Sequence, residues 1–424
     1  KEFKFEKLLN SKSSKTLRNY NLTLEYTSNP AWYAIQALPY LTDYPYECAE
    51  QTFNRYYANV LATHIANSTP KIKEIFSKWE STTAEGSKPL ASNLSKNQEL
   101  KSALLQETPW VLDAKNEEDQ KRNIATLFNL NRMSKELERT TRELELMQTP
   151  NGGFTWFKGM PDDRYMTQYI ITGIGRLMHL KIDEVGEPHM MTIVEKAIPY
   201  LDARIKEDYD ELVKNKVNLE MYFPNQIQIQ YLYLRSFFLN SDITSDANKA
   251  FNYFKERAKF NWLGQNKYMQ GMLALALHRY GDKTIPRNII QSLRENAIHN
   301  EEMGMYWKDL GSSYWWYEAP IEAQSILIEA FKEVALSEDE VDELKIWLLK
   351  NKQTQNWKTT KATADACYAL LLNGTYWLSS NSEVNIGLGN KKINSSSLQQ
   401  EAGTGYFKTS FDSENIQPEM GNIK

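Results

Sequence analysis

The sequence predicts a mainly α chain with β-strands at its two ends, on three observations. From the helix that follows Cys48 to about residue 373, apolar residues recur at spacings of three and four with no long alternating run between them. Alternation of apolar and polar residues is confined to the ends, at Asn21–Thr27, Glu383–Gly389 and Gly405–Phe411. Loops that bear Gly or Asn end in an aromatic residue and lead into a helix at Phe154-Thr155-Trp156, Tyr222-Phe223-Pro224, Asn261-Trp262, Met305-Tyr306-Trp307 and Asn356-Trp357. Trp262, Trp307 and Trp357 are 45 and 50 residues apart, the period of one helix pair. Helix pairs repeated over this length form an open solenoid or a ring of inner and outer helices. The boundaries that follow are a β-segment over residues 1–28, a helical domain over 29–375 and returning strands over 376–424.

Taken in order, the strand at Asn21–Thr27 carries β-favouring side chains and ends at Asn29-Pro30. Ala31 to Tyr40 is apolar and helical, and Pro39 and Pro45 bracket a turn leading to Cys48. The helix after Cys48 carries Phe53, Tyr56, Tyr57, Val60, Leu61 and His64 as a buried stripe. Charged amphipathic helices are expected over Glu117–Leu130 and Met133–Met147. Further helices are expected over Met166–Leu180, Val194–Lys214, Gln226–Leu239, Asn248–Lys259, Tyr268–Tyr280, Ile289–Ile298, Pro320–Val334, Glu338–Lys350 and Thr360–Leu372. After Gly374, turns rich in Gly, Asn and Ser separate the last strands.

A formal charge of −4 and a pI near 5.9 leave no basic excess to attract nucleic acid or an anionic membrane surface. No apolar run is long enough to span a bilayer, and no stretch reads as a signal peptide. The charged start and the strand-like end at Met420-Gly421-Asn422-Ile423-Lys424 read as a piece of a longer protein. With 24 Tyr and 11 Trp, some rings are expected to line loops and grooves as well as the interior.

The chemistry centres on Cys48-Ala49-Glu50-Gln51. If a helix opens near Cys48, the side chains of Cys48 and Gln51 project from one face and can meet. The free N–H groups and the positive end of the dipole at a helix start favour thiolate over thiol. Attack of that sulfur on the Gln51 carboxamide with loss of ammonia gives an internal thioester, an acyl group stored for an outside nucleophile. The other reading of Cys48 is an inert buried cysteine. The only other cysteine, Cys367, sits in the Ala-rich stretch Ala362–Leu372 and reads as a small core residue; if Cys48 is committed to Gln51, Cys367 is a free thiol.

Cys-x-Glu-Gln resembles the thioester motif of the alpha-2-macroglobulin and complement family, and Tyr44-Pro45-Tyr46-Glu47-Cys48-Ala49-Glu50-Gln51-Thr52 resembles its bacterial branch. Gln148-Thr149-Pro150-Asn151-Gly152-Gly153-Phe154, Thr167-Gln168-Tyr169-Ile170, Thr359-Thr360-Lys361-Ala362-Thr363-Ala364-Asp365-Ala366 and Gly403-Thr404-Gly405-Tyr406-Phe407 also resemble that branch, in the same order. Glu47 departs from the pattern, standing where the family has Gly, and its carboxylate opposes thiolate formation.

The resemblance implies an α/α toroid inserted into an incomplete CUB-like β-sandwich. It implies a single-use covalent trap, not an enzyme, in which bait-region cleavage leads Cys48 and Gln51 to acylate an attacking protease. Implied partners are proteases, joined through lysine amines, and the remaining macroglobulin domains. The implied location is the periplasm or cell envelope, with membrane attachment only through an N-terminal anchor outside this chain. The expected pocket around the bond is Tyr44, Tyr46, Glu50, Phe53, Tyr57, Phe154, Trp156, Thr167, Tyr169 and Trp307. Some complement relatives carry a His in the helix after the Gly-Gly-Phe-like loop; by register that position is Thr167, and no His occurs from Asn151 to Leu177. Without that base or relay, transfer to amines is expected to exceed transfer to hydroxyls.

Other constellations point elsewhere. His64, His179, His189, His278 and His299 show no metal-ligand spacing, so neither a metal nor a cofactor is expected. Asn151-Gly152-Gly153 lacks the spacing of a phosphate loop and reads as a tight turn. The rival function is an α/α-toroid glycoside hydrolase, pairing Asp162 or Asp163 with Asp309 or Glu318 beside Trp156, Trp307, Trp315 and Trp316. Against it, Asp162-Asp163-Arg164 reads as a helix N-cap with an ion pair. A helical interaction scaffold whose Cys and Gln never join is the third reading.

Overall fold

A computed structural model describes residues 2–26, 32–42, 48–68, 130–182, 185, 188–300, 303–311, 315–352, 357–372, 383–398, 400, 405 and 407–424. The chain is mainly helical with a few small antiparallel sheets. Its contacts divide it into two units, one containing residues 1–33 and 375–424, the other 34–67 and 126–374.

The first unit is built from the two ends of the described chain. β1 (Phe3–Lys4) pairs antiparallel with β10 (Asn422–Ile423), which continues into β7 (Asn385–Leu388) and β8 (Lys391–Asn394). β2 (Asn21–Tyr26) pairs antiparallel with β9 (Phe407–Asp412), Asn21 opposite Asp412 and Tyr26 opposite Phe407. A short helix, α1 (Glu6–Leu9), supplies Leu8 to a core with Leu388, Ile416 and Met420. The sequence pattern missed α1 and β8, while β1 falls within the β-segment expected over residues 1–28. Of four residues in β8 only Ile393 is apolar, so no alternation marks it; a tight turn with Gly389 at φ +57° fixes it instead.

The second unit is helical. α2 (Trp32–Thr42) runs through Pro39, so Pro39 does not open the turn expected between it and Pro45. α3 (Ala49–Ser68) and α4 (Leu130–Met147) are followed by α5 (Arg164–His179), α6 (Pro188–Lys214), α7 (Gln226–Arg235), α8 (Ser245–Arg257), α9 (Lys267–Arg279), α10 (Ile285–Glu295), α11 (Pro320–Ala330), α12 (Glu338–Lys350) and α13 (Thr360–Leu371). The expected helix over Glu117–Leu130 lies outside the described residues but for its last residue. Two short antiparallel pairs interrupt the helices, β3 (Phe154–Thr155) with β4 (Asp162–Asp163) and β5 (Ile298–Asn300) with β6 (Gly304–Tyr306). The region is therefore not purely α as the periodicity predicts, because runs of two or three residues are too short to show alternation.

Two kinds of helix alternate. Residues 166–177 of α5, 228–235 of α7, 268–277 of α9 and 321–330 of α11 are buried without a break, whereas α8, α10 and α12 bury one stripe each. Helices buried on every side are interior helices, and one-sided helices cover them. Neighbours in the buried series are α5 with α7, α7 with α9, α9 with α11 and α11 with α13. α3, buried from Thr52 to Ala62, touches both ends of that series: Tyr169 of α5 bonds Asn54, and Thr360 of α13 bonds Glu50. A Cβ at Gly173 would stand 2.3 Å from the Phe53 ring, so this glycine permits α3 and α5 to approach closely.

Three of the aromatic loops share parts of one construction. The indole N–H of Trp307 donates to the Leu293 carbonyl and that of Trp357 to the Leu348 carbonyl, at 2.9 and 2.7 Å, each in the preceding helix. The backbone N–H of Phe154 and of Trp357 donates to a threonine hydroxyl in the first turn of the next helix, Thr167 and Thr363. These rings anchor loops. Gly152 turns the Gln148–Gly153 loop at φ +96°, where a Cβ would stand 2.1 Å from the Lys196 carbonyl oxygen. That is a tight turn, as its sequence suggests.

Candidate functional site

α3 opens at Cys48, whose carbonyl accepts the Thr52 N–H at 2.9 Å. The Ala49 N–H has no partner within the helix and donates to the Trp156 carbonyl at 2.9 Å. The N–H groups of Gln51 and Glu50 face the Cys48 sulfur. Burial nevertheless pushes the thiol above its ordinary range; the Gln51 N–H pulls it back in part, and the Glu50 carboxyl pushes it further. The expected balance is thus corrected: the helix start acts in the direction foreseen, but desolvation outweighs it. Glu47, the other carboxylate of concern, lies outside the described residues.

Gln51 is one turn on from Cys48, on the same side of α3. Its Oε1 is buried and has no hydrogen-bond partner among the described residues. Burying an amide oxygen unpaired costs free energy. Between them Glu50 directs Oε1 to the Asn54 amide and the Thr360 hydroxyl, at 2.5 and 2.6 Å, and Oε2 toward Cys48 Sγ at 4.0 Å. Burial raises the Glu50 pKa, and the Thr360 hydrogen bond, Lys361 and Asn54 lower it.

The wall of the site is α5 and the start of α13. Tyr169 donates to Asn54 Oδ1 at 2.7 Å, and its ring meets Phe53 edge-on at 5.9 Å. Phe53, Tyr57 and Tyr169 line a cavity of about 20 Å³ with Arg176, Lys361 and Asp365, room for about one water. Tyr57 is buried there with its hydroxyl unpartnered among the described residues. Burial alone would lower the Lys361 pKa, but Glu322, Tyr268 and Asp365 hold it well above the ordinary value. Arg176 and Asp365 form a buried ion pair.

Glu50, Phe53, Tyr57 and Tyr169 therefore come together around the start of α3, with Trp156 in contact through its carbonyl. Three expectations differ. Thr167 is fully buried, accepts from the Phe154 N–H and donates to the Asp163 carbonyl, so its hydroxyl is used within the loop. Phe154 is buried in that same loop, and Trp307 packs on Phe331 while bonding Leu293. Tyr44 and Tyr46 lie outside the described residues.

The sequence does not single out Thr360, Lys361, Asn54 or Tyr165, and it offers Trp316 only for the rival reading; the rings of Tyr165 and Trp316 continue from Trp156 at 6.3 and 5.1 Å. The family-like stretch Thr359–Ala366 held the signal for Thr360 and Lys361; nothing local marks Asn54. Cys367 is buried mid-helix, its thiol donating to the Ala34 carbonyl at 3.4 Å and pushed up to about 12 by burial.

Three of the four carboxylates of the rival reading are engaged otherwise. Asp163 caps α5 through the Met166 N–H at 2.7 Å, Asp162 accepts from Tyr200, and Asp309 pairs with Lys267. The fold also gathers His179, Glu329 and Glu333, but Arg279 donates to both carboxylates and supplies the cation itself. Among the described residues no helix is long and apolar enough to cross a membrane.

No protein-family model matches the chain, and no curated protein does. Among solved structures it is similar to native alpha-2-macroglobulin from Escherichia coli spanning domain MG7 to the C-terminus, with TM-score 0.46 and 11% identity over 95% of this chain and 54% of that one. It is similar to the native E. coli alpha-2-macroglobulin seen by cryo-EM, with TM-score 0.45 and 11% identity over 95% and 22%. It is similar to E. coli alpha-2-macroglobulin activated by porcine elastase, with TM-score 0.47 and 11% identity over 95% and 31%. The chain thus spans about half or less of the length of these proteins.

Proposed function

We propose that this chain is the thioester-bearing helical part of a bacterial alpha-2-macroglobulin-like protein that captures proteases covalently. The observation that carries the reading is the start of α3: a buried cysteine opening the helix, with Gln51 one turn on and its buried Oε1 unpaired among the described residues. Sulfur attack on the Gln51 carbon forms the S–C bond and breaks the C–N bond, releasing ammonia. A lysine amine of a captured protease then takes the acyl group and frees the Cys48 thiol, so each molecule acts once.

Water is the competing nucleophile, and a dry apolar wall delays it. Phe53, Tyr57, Tyr165 and Tyr169 supply the apolar part of that wall, beside Arg176, Lys361 and Asp365. Helices that are buried all round, with α3 touching both α5 and α13, support reading the helical unit as an α/α toroid. The paired chain ends support reading the strands as part of a β-sandwich of the CUB kind. Thr167 carries no base and is committed to its loop, which supports transfer to amines in preference to hydroxyls. A periplasmic or envelope location and capture after bait-region cleavage complete the reading.

Intact mass before and after methylamine tests it. The native chain is expected to weigh one ammonia less than its sequence, and methylamine to add its own mass and expose one thiol at Cys48. A native chain of full sequence mass with two titratable thiols overturns the reading. Labelling by glycerol in excess of methylamine overturns the amine preference alone.

A further inference from the structure

Closing a thioester moves a proton as well as a sulfur. The Cys48 thiol must lose one, and the Gln51 amide nitrogen must gain one to leave as ammonia. Burial holds the thiol above its ordinary pKa, so the helix start alone does not supply the thiolate. A group beside the sulfur has to take the proton.

Among the described residues Glu50 has the geometry for it. Its carboxyl group has two unlike oxygens: Oε1 is fixed by Asn54 and Thr360, and Oε2 points toward Cys48 Sγ at 4.0 Å. Asn54 is itself held by the Tyr169 hydroxyl at 2.7 Å, so the carboxyl plane is set from α5 and from α13. Thr360 and Asn54 are not bases at neutral pH, and Lys361 is a paired cation. His64 is sixteen residues along α3, about 24 Å at the helical rise. Burial also raises the basicity of Glu50, bringing it closer to that of the thiol it would deprotonate.

We propose that Glu50 carries the proton in thioester closure, its carboxylate taking it from the Cys48 thiol during attack on the Gln51 carbon and returning it to the departing amide nitrogen. The S–C bond forms, the C–N bond breaks, the thiol proton leaves in ammonia and Glu50 ends as it began. The inference rests on the thioester reading. It gives the third residue of Cys48-Ala49-Glu50-Gln51 a chemical role distinct from lining the pocket.

The test follows closure in the full chain. Protein recovered denatured with the Gln51 amide intact is refolded between about pH 6 and 9, and ammonia loss is timed by intact mass, with methylamine incorporation mapped to Gln51. Glu50→Gln keeps an oxygen for Asn54 and Thr360 but cannot carry the proton; closure is expected to slow by on the order of 100-fold, with a flattened pH profile. Closure by Glu50→Gln within about threefold of wild type overturns the role of Glu50. If Glu50→Gln does not refold by circular dichroism, Glu50→Asp decides: a slowing of about tenfold or more with the wild-type pH profile is expected, and a wild-type rate overturns the role. A wild-type chain that refolds and never loses ammonia overturns the thioester reading, and this inference with it.

Discussion

Cys48, at the start of α3, and Cys367, within α13, are both buried and both held above the ordinary thiol range by desolvation. They differ in what surrounds the sulfur. Cys367 sits inside α13 among alanines and meets a carbonyl oxygen; Cys48 sits at the open end of α3 among N–H groups, a carboxyl group and, one turn on, an amide. Burial protects a sulfur without activating it. The helix end and its polar neighbours make one thiol a candidate nucleophile and leave the other a packing group.

The largest effect expected from this contrast is the complete loss of methylamine incorporation in Cys48→Ala and in Gln51→Ala, read by intact mass, with incorporation retained in Cys367→Ala. Loss in Cys367→Ala with unchanged folding breaks the comparison. Next comes the support beneath each sulfur. Arg176→Met removes the closer of the two cations facing Asp365, leaving Lys361 at 3.7 Å, and is expected to cost about 3 kcal/mol in chemical denaturation, the lower end of the range for breaking a buried pair.

Gly173→Ala drives a methyl group into the Phe53 ring and is expected to cost about 1–3 kcal/mol while disturbing Cys48 more than Cys367. Alkylation of the two thiols after methylamine opening reads that difference. Asp163→Ala removes the cap of α5 and is expected to cost about 1 kcal/mol, with no loss of any glycosidase activity because the residue caps a helix.

The smallest effect sharpens the electrostatic side. The folded pKa of Glu50 is raised above its ordinary value of 4.5, so the folded state holds that proton more tightly than the unfolded chain. The stabilisation this gives is fully present below the unfolded pKa and is lost as pH rises through the folded one. Glu50→Gln, which stays neutral, is therefore expected to melt at or above wild type near neutral pH, with its advantage shrinking as pH falls toward the ordinary carboxylate range. Melting curves across that window check the sign.

Much of this was readable along the chain because its signals are local. Helical period located α5, α7, α9, α11 and α13, and the Asp before Arg164 announced a cap that the structure contains. Cys48 and Gln51 stand out as candidates because their spacing is a helical turn, and a helix does open after Cys48. Local signals failed where pairing or packing decides. β8 has one apolar residue, α2 continues through Pro39, and Trp307 looks like a site aromatic until its indole is seen bonded to Leu293. Lys361 gives no local hint that it is buried among Glu322, Asp365 and Tyr268.

By itself the sequence determined which residues can carry the chemistry: a cysteine and a glutamine three positions apart at a helix start, in a chain whose apolar period makes the surrounding region helical. The tertiary structure decided how hard that sulfur is to ionise and what stands beside it. Both depend on burial and on Thr360, which is 310 residues from Glu50 along the chain and 2.6 Å from its carboxyl oxygen in the fold. Desolvation and long-range hydrogen bonds come from neighbours in space, and no spacing along a chain encodes them.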